Sequence, residues 1–301
     1  IYKKPTWRKA MNKKKIVVFG SYITDLTSHS ASLPHPGQTI KGSSFKSGPG
    51  GKGSNQAVAA HRAGAEVQLI TKVGQDFFGT AALEFYQSEG IMTEGVFVDD
   101  ANPTGCALIM VGDDTAENLI VVIPSACDHF SNEDVQKAKE FINPADILLA
   151  QLETNNDANY EVVRHAKVQG CLTVLNPAPA QELSREFLSQ IDIVTPNETE
   201  TEILTGIKIT EQNKSYQQAA KAFMELGVKN VIITLGNKGV FATDGKQAAQ
   251  LPAVAPYPVV DTTGAGDAFN GGFVAGLSFG FSFFDAVQYG VVVAGRSVSK
   301  F

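Results

Sequence analysis

Residues 146–175 read DILLAQLETNNDANYEVVRHAKVQGCLTVL, a strand, a helix and a second strand in succession. Asp146–Ala150 and Cys171–Leu175 are short and apolar, the pattern of strands covered on both faces of a sheet. Between them, Ala158–Gln169 has the pattern of a helix. Two strands joined this way make a βαβ unit, and repeated units build a parallel sheet. The alternation continues outward from this stretch. Downstream come a strand at Ile191–Val194, helices at Glu198–Leu204 and Tyr216–Leu226, and a strand at Val231–Leu235. Upstream lie a helix at Asn132–Phe141, a strand at Val96–Asp99, a helix at Phe77–Glu89, a strand at Val67–Val73, a helix at Ala57–Ala63 and the all-apolar Ile16–Gly20. The reading is an α/β fold with a central, mostly parallel sheet flanked by helices.

Two segments stand outside that alternation. Ser21–Lys46 is polar and β-rich, and Thr104–Ile123 holds two strand patterns around Gly112-Asp113-Asp114, a hairpin signal. Neither has the apolar density of a core, so the two are expected to pair as a small β lid. No linker or repeat divides residues 11–301, which read as one domain. Residues 1–10 are basic and aperiodic and read as an added remnant or an upstream extension, with Met11 as a natural start. Ser299-Lys300-Phe301 stops within a helical pattern, so further residues are expected to follow.

The formal charge of −6 over 301 residues gives no field that would attract nucleic acid or an anionic membrane. No apolar run approaches the ~20 residues that span a bilayer. Cys106, Cys127 and Cys171 are few, odd in number and widely spaced, which suits a reducing cytoplasm rather than a disulfide framework.

Asp261-Thr262-Thr263-Gly264-Ala265-Gly266-Asp267 runs straight into an apolar segment, Ala268–Leu277, that reads as a buried helix. Gly264 and Gly266 permit tight geometry in which successive N–H groups face one concavity at a helix N-terminus, a place for an anion. A carboxylate beside an anion hole repels a merely bound anion. It suits phosphoryl transfer, where it takes the proton from an attacking hydroxyl. A glycine turn that caps a helix, with Asp267 as a first-turn acid, accounts for the same residues equally well.

Other polar residues directly follow apolar strands, where open α/β sheets bind ligands. They are Glu153, Asn176, Asn197 with Glu200, and Gly236 with Gly239. Each has a plainer reading: Asn197 and Glu200 would form a capping box, and the glycines would serve turns. Gly48, Gly50 and Gly53 match the G-x-G-x-x-G spacing of dinucleotide folds. No buried strand precedes them, and Lys72 and Val73 stand where a ribose-binding acid is needed. The nicotinamide reading is rejected. A P-loop is absent from the sequence.

With these residues in place the chain resembles the ribokinase family of sugar kinases from Lys14 onward. The resemblance is carried by Gly50-Gly51-Lys52-Gly53-Ser54-Asn55-Gln56-Ala57 and by Asp261–Asp267. Between them it is carried by Gln151-Leu152-Glu153, Asn176-Pro177-Ala178-Pro179-Ala180, Thr195–Glu200 and Ile233-Thr234-Leu235-Gly236. The resemblance implies ATP-dependent phosphorylation of the 5-hydroxyl of D-ribose, with Asp267 as base and Gly264, Ala265 and Gly266 as anion hole. It implies that Asp25, Gly51, Lys52, Asn55, Glu153 and Asp267 hold the sugar. Asn197, Thr234, Leu235, Gly236, Gly239 and Gly266 would line the nucleotide. Glu200 would place Mg²⁺ through water, and Asp261, Thr263 and Ser297 would contribute to a potassium site. The implied assembly is a homodimer through the lid.

One position departs from the pattern: Ile23 stands where many family members carry Asn, and an apolar side chain cannot bond a sugar hydroxyl. Kinases for deoxyribose, fructose or a nucleoside are alternatives, as is a catalytically silent sugar-binding protein on the same fold.

Overall fold

Ile16–Phe19 (β1) divides its side chains between two cores, as a strand's alternation requires. Ile16 and Val18 join one cluster, Val17 and Phe19 the other, and all four are at most 1% exposed. The computed structural model in which this is seen describes residues 13–115, 117–210, 215–256 and 258–299. The readings of residues 1–10, of Met11 as a start and of the last two positions lie outside these.

From β1 the chain forms Ile23–Ser30 (β2), Ser44–Gly50 (β3), Lys52–Arg62 (α1), Val67–Gly74 (β4), Phe77–Glu89 (α2) and Val96–Asp99 (β5). Next come Cys106–Gly112 (β6), Glu117–Ile123 (β7), Asn132–Ile142 (α3), Ile147–Ala150 (β8), Asn156–Val168 (α4) and Leu172–Leu175 (β9). The order continues with Arg185–Leu188 (α5), Ile193–Val194 (β10), Glu198–Thr205 (α6), Ser215–Glu225 (α7) and Asn230–Thr234 (β11). Val240–Thr243 (β12), Ala248–Leu251 (β13), Ala265–Ser278 (α8) and Phe283–Ser297 (α9) complete it.

The main sheet runs β13-β12-β11-β10-β9-β8-β1-β4-β5. It is parallel from β11 to β5, and β12 and β13 add an antiparallel edge. One core places α1, α8 and α9 against the sheet through Ala57, Ala60, Phe273 and Val287. The other places α3, α4, α5 and α7 there through Ala138, Val162, Phe187 and Phe223. The mostly parallel α/β reading is what the structure shows. Its βαβ unit is β8-α4-β9, with the two strands paired from Ile147↔Leu172 to Ala150↔Leu175.

A second sheet has the order β3-β2-β6-β7. Its two inner strands are parallel, Thr24↔Cys106 through Ser30↔Gly112, and both outer pairs are antiparallel. It uses the two segments read as a lid, but β3 runs on to Gly50, beyond the Lys46 boundary. Gly48 and Gly50 of the apparent dinucleotide spacing therefore lie in a half-exposed strand, and only Gly53 lies in a helix.

Three residues separate β1 from β2, and β3 hands over to α1 through Gly51 alone. The small sheet is thereby fixed above the carboxyl ends of the parallel strands. Those ends also carry Glu153, Asn176, Asn197 and Gly236.

Candidate active site

Gly51, the N-cap of α1, has φ +86°, a conformation that costs an L-residue steric strain. It lets α1 start at Lys52, five residues ahead of the sequence reading. The new helix end is capped by a carboxylate: the Lys52 N–H donates to Glu153 Oε2 at 2.9 Å, and the Ser21 hydroxyl donates to the same oxygen. Negative charge at a helix N-terminus is favourable. The Lys52 ammonium closes on Glu153 Oε1 at 3.3 Å.

Asp267 sits in the first turn of α8, which begins at Ala265 behind Gly264 as a left-handed N-cap with φ +71°. Gln56 Nε2 donates to Asp267 Oδ1 at 2.8 Å, and Asn55 Nδ2 donates to Oδ2 at 3.1 Å. Consecutive residues of α1 thus hold the two oxygens. Among the described residues the N–H groups of Gly264, Gly266 and Asp267 have no acceptor, as expected for the first turn of a helix. They remain available to an anion.

Charge is crowded here. Burial pushes Asp267 up to about 6, with Glu153 adding to the rise against Lys52, Gln56 and Asn55. Burial also raises Asp25, reinforced by Glu153 and opposed by Lys52. Glu200 is raised by burial, with Asp267 adding, against the Asn197 N–H and Lys52. Burial works against the Lys52 charge, but Glu153, Asp267 and Glu200 outweigh it and hold the ammonium above its ordinary value. Four carboxylates around one ammonium make a set of acceptors for a ligand rich in hydroxyl donors. A carboxylate near 6 is a competent proton acceptor at neutral pH.

A cavity of about 660 Å³ is lined in part by Asp25, Asn55, Asp261, Thr263, Gly264, Asp267 and Ser297. Asp261 and Thr263 are tied together, the Thr263 N–H donating to Asp261 Oδ1 at 2.8 Å. Apart from Gly266, which lies in the first turn of α8, the residues read as nucleotide-lining form a separate group, and none of them lines this cavity. Asn197 and Glu200 make a complete capping box on α6. Thr234 ends β11 and is bridged to Asn197, and the Leu235 N–H donates to the Gly239 carbonyl at 2.8 Å, closing the turn into β12. Gly236 and Gly239, with φ +57° and +93°, shape that turn. The plainer readings of these residues are thus present in the structure. Glu200 joins the two groups, capping Asn197 while facing the charges of Lys52 and Asp267.

Sequence reasoning missed the residues beneath the site. Ser21 anchors Glu153, and Gln56 grips Asp267; both are fully buried. The available signal for Gln56 was its place beside Asn55, an amide pair directly ahead of the apolar run Ala57-Val58-Ala59-Ala60.

The chain as a whole is similar to known proteins. The family model described as pfkB family carbohydrate kinase matches residues 13–301. The ribokinase of Haemophilus influenzae is 41% identical over 291 residues, which is 96% of this chain and 93% of that protein. The deoxyribokinase of Salmonella typhimurium is 37% identical over 259 residues, 86% of this chain and 84% of that one. Among solved structures, ribokinase from Thermotoga maritima superimposes with a TM-score of 0.86 at 34% identity, covering 96% of this chain and 94% of that one. Arabidopsis thaliana ribokinase complexed with ribose and ATP gives 0.88 at 29%, with 96% and 93% covered.

Proposed function

The chain belongs to the pfkB family of carbohydrate kinases, and from that premise we propose that it transfers the γ-phosphoryl group of ATP to the 5-hydroxyl of D-ribose. The observation that carries the reading is Asp267. Its carboxylate is gripped by Asn55 and Gln56, pushed up to about 6, and set beside unbonded N–H groups at a helix N-terminus.

In the reaction, Asp267 accepts the proton of the attacking hydroxyl. The N–H groups of Gly264, Gly266 and Asp267 take up charge on the moving phosphoryl group, whereas that of Ala265, read from the sequence as part of the anion hole, is committed to the Thr262 carbonyl. Asp25, Glu153 and Asn55 hold the remaining sugar hydroxyls, with Lys52 and the Gly51 backbone beside them. The nucleotide lies along Asn197, Thr234, Leu235, Gly236 and Gly239. Glu200 is suited to placing Mg²⁺ through water, since each of its oxygens keeps a lone pair beyond the capping bonds to Asn197. Bound with ATP, that ion neutralises charge on the phosphates. Asp261, Thr263 and Ser297 offer oxygen donors along one cavity wall, which fits potassium. Exchanging K⁺ for tetramethylammonium is expected to lower kcat severalfold in a coupled assay.

The small sheet closes over the sugar and keeps water from the γ-phosphate. This assigns residues 11–301 to one domain, with the first lid segment, read as 21–46, extended to Gly50 by β3 and the second at about 104–123. The same sheet is proposed as a homodimer contact. Leu119, Ile120, Val121 and Val122 of its edge strand β7 are 46–58% exposed, a run too apolar to leave in water. Sedimentation at micromolar concentration is expected to give a dimer, and Val121→Lys a monomer. A monomeric parent chain removes the contact.

A second reading, phosphorylation of 2-deoxyribose, is favoured by Ile23, an apolar residue at the start of β2 and 2% exposed. The test for both is ADP release with Mg-ATP and K⁺ across D-ribose, 2-deoxyribose, fructose and adenosine. Highest kcat/KM with D-ribose supports the first reading, and with 2-deoxyribose the second. Turnover with none of the four overturns both.

A further inference from the structure

Gln56 is fully buried, and its amide oxygen and both amide N–H groups are engaged. Its Oε1 accepts from Gln151 Nε2 at 2.7 Å. Its Nε2 donates both to Asp267 Oδ1 at 2.8 Å and to Asn176 Oδ1 at 2.9 Å. From Asn176 the bonds continue: Nδ2 donates to the Thr195 carbonyl at 3.1 Å, and Thr195 Oγ1 donates to Asn270 Oδ1 at 2.6 Å. Asn270 Nδ2 then donates to the carbonyl of Gly266 at 3.0 Å, one residue before Asp267. The circuit is closed.

Its side chains come from α1, α8 and the segments that follow β8, β9 and β10, and each of Gln56, Asn176, Thr195 and Asn270 is at most 7% exposed. The polarity is also fixed. Were the Gln56 amide reversed, its oxygen would meet two acceptor oxygens and its nitrogen the Gln151 donor. Gln151 holds it the right way round, although its own Oε1 is buried without a partner among the described residues. An unpartnered buried oxygen costs stability, yet this arrangement retains it.

We propose that Gln56 is a positioning residue for phosphoryl transfer, fixing the Asp267 carboxylate and the Gly266 peptide in one geometry through this buried circuit. The inference rests on the kinase reading of the site. The network ties the proton acceptor to the anion-holding turn, so the two cannot drift apart as the sugar and phosphates bind. A displacement of even ~1 Å at such a centre costs about 10²-fold in rate. The charged groups that face Asp267 are Lys52 on α1, Glu153 after β8 and Glu200 on α6, and none is altered by changing Gln56.

The test compares the parent chain with Gln56→Met, which keeps length and volume but neither donates nor accepts strongly. The expected result is a kcat about 10–100-fold lower, with the sugar KM little changed. The acid limb of the kcat profile moves to higher pH, because a donor that favoured the charged carboxylate is gone. A ¹³C titration of the Asp267 carboxyl, read without any substrate, shows the same upward movement. It therefore still decides the matter if no sugar is turned over and the kinase reading itself fails. A folded Gln56→Met with an unmoved Asp267 titration and unchanged kcat overturns the proposal. If that variant does not fold, Gln151→Met, which touches Gln56 but not Asp267, is read the same way, with an upward movement expected and an unmoved carboxyl overturning it.

Discussion

Asp267→Asn is expected to lower kcat by about 10²–10⁴, the usual span for loss of a general base, while the fold and sugar affinity persist. The parent carboxylate accepts from two amides, Gln56 on Oδ1 and Asn55 on Oδ2. An asparagine keeps one acceptor oxygen and turns an NH₂ toward the other donor. It cannot receive the proton of the sugar hydroxyl. The parent rate should also fall as pH drops through about 6, where Asp267 becomes protonated, and the variant should lack that limb.

The stability sign runs the opposite way. Asp267 binds its proton more tightly folded than unfolded. Its stabilising contribution is thus full below the ordinary carboxylate range and lost as pH rises through about 6. Rates from coupled ADP release and melting curves across pH 4–8 check both. Near-normal turnover in Asp267→Asn removes the base assignment.

Gly51→Ala should damage the fold and the site together. A methyl group there would lie 2.7 Å from the Ile23 nitrogen and 2.9 Å from the Ser21 carbonyl, at a backbone φ of +86°. Left-handed strain costs roughly 1–2 kcal/mol and overpacking against backbone about 1–3 kcal/mol. The sum, about 2–5 kcal/mol, corresponds to a Tm lower by roughly 3–8 °C for a domain of this size. Because Gly51 delivers the Lys52 N–H to Glu153, the sugar KM should rise as well. A melting temperature within a degree of the parent's would show that the β3–α1 junction relaxes freely.

The elements that sequence reading found are those whose periodicity is set by burial. β1 and β8 are wholly apolar because helices cover both faces of the sheet, and their patterns have no other explanation. The elements it missed lack that signal. β2 and β3 are polar because a single-layer sheet buries little, so only their β-richness was visible. β12, though buried, and the half-exposed β13 form an antiparallel hairpin outside the strand–helix alternation that guided the reading, although Asp244-Gly245 marks the turn between them. The starts of α1 and α8 failed for one reason. Lys52 and Ala265 begin α1 and α8 behind glycines with positive φ, and a backbone cap leaves no side-chain signature.

The same division applies to the site. Asp267, Asn55, Lys52 and Glu153 were legible as charged or amide groups beside glycines, and the structure gathers them. Gln56 and Ser21 were not, because a polar residue that faces inward resembles one that faces water until the fold shows its partner.

The place of β1 in the sheet has a consequence for synthesis. Its two neighbours are β4 and β8, so β1 waits for residues 147–150 to be made before its second side is paired. Throughout that interval the nascent chain carries an apolar strand with one open row of N–H and C=O groups, a template for unwanted pairing. More than a hundred residues must follow β1 before the centre of the molecule is sealed. Translation pauses or chain breaks before residue 147 should therefore yield aggregating fragments, whereas those after β8 leave the central strand enclosed.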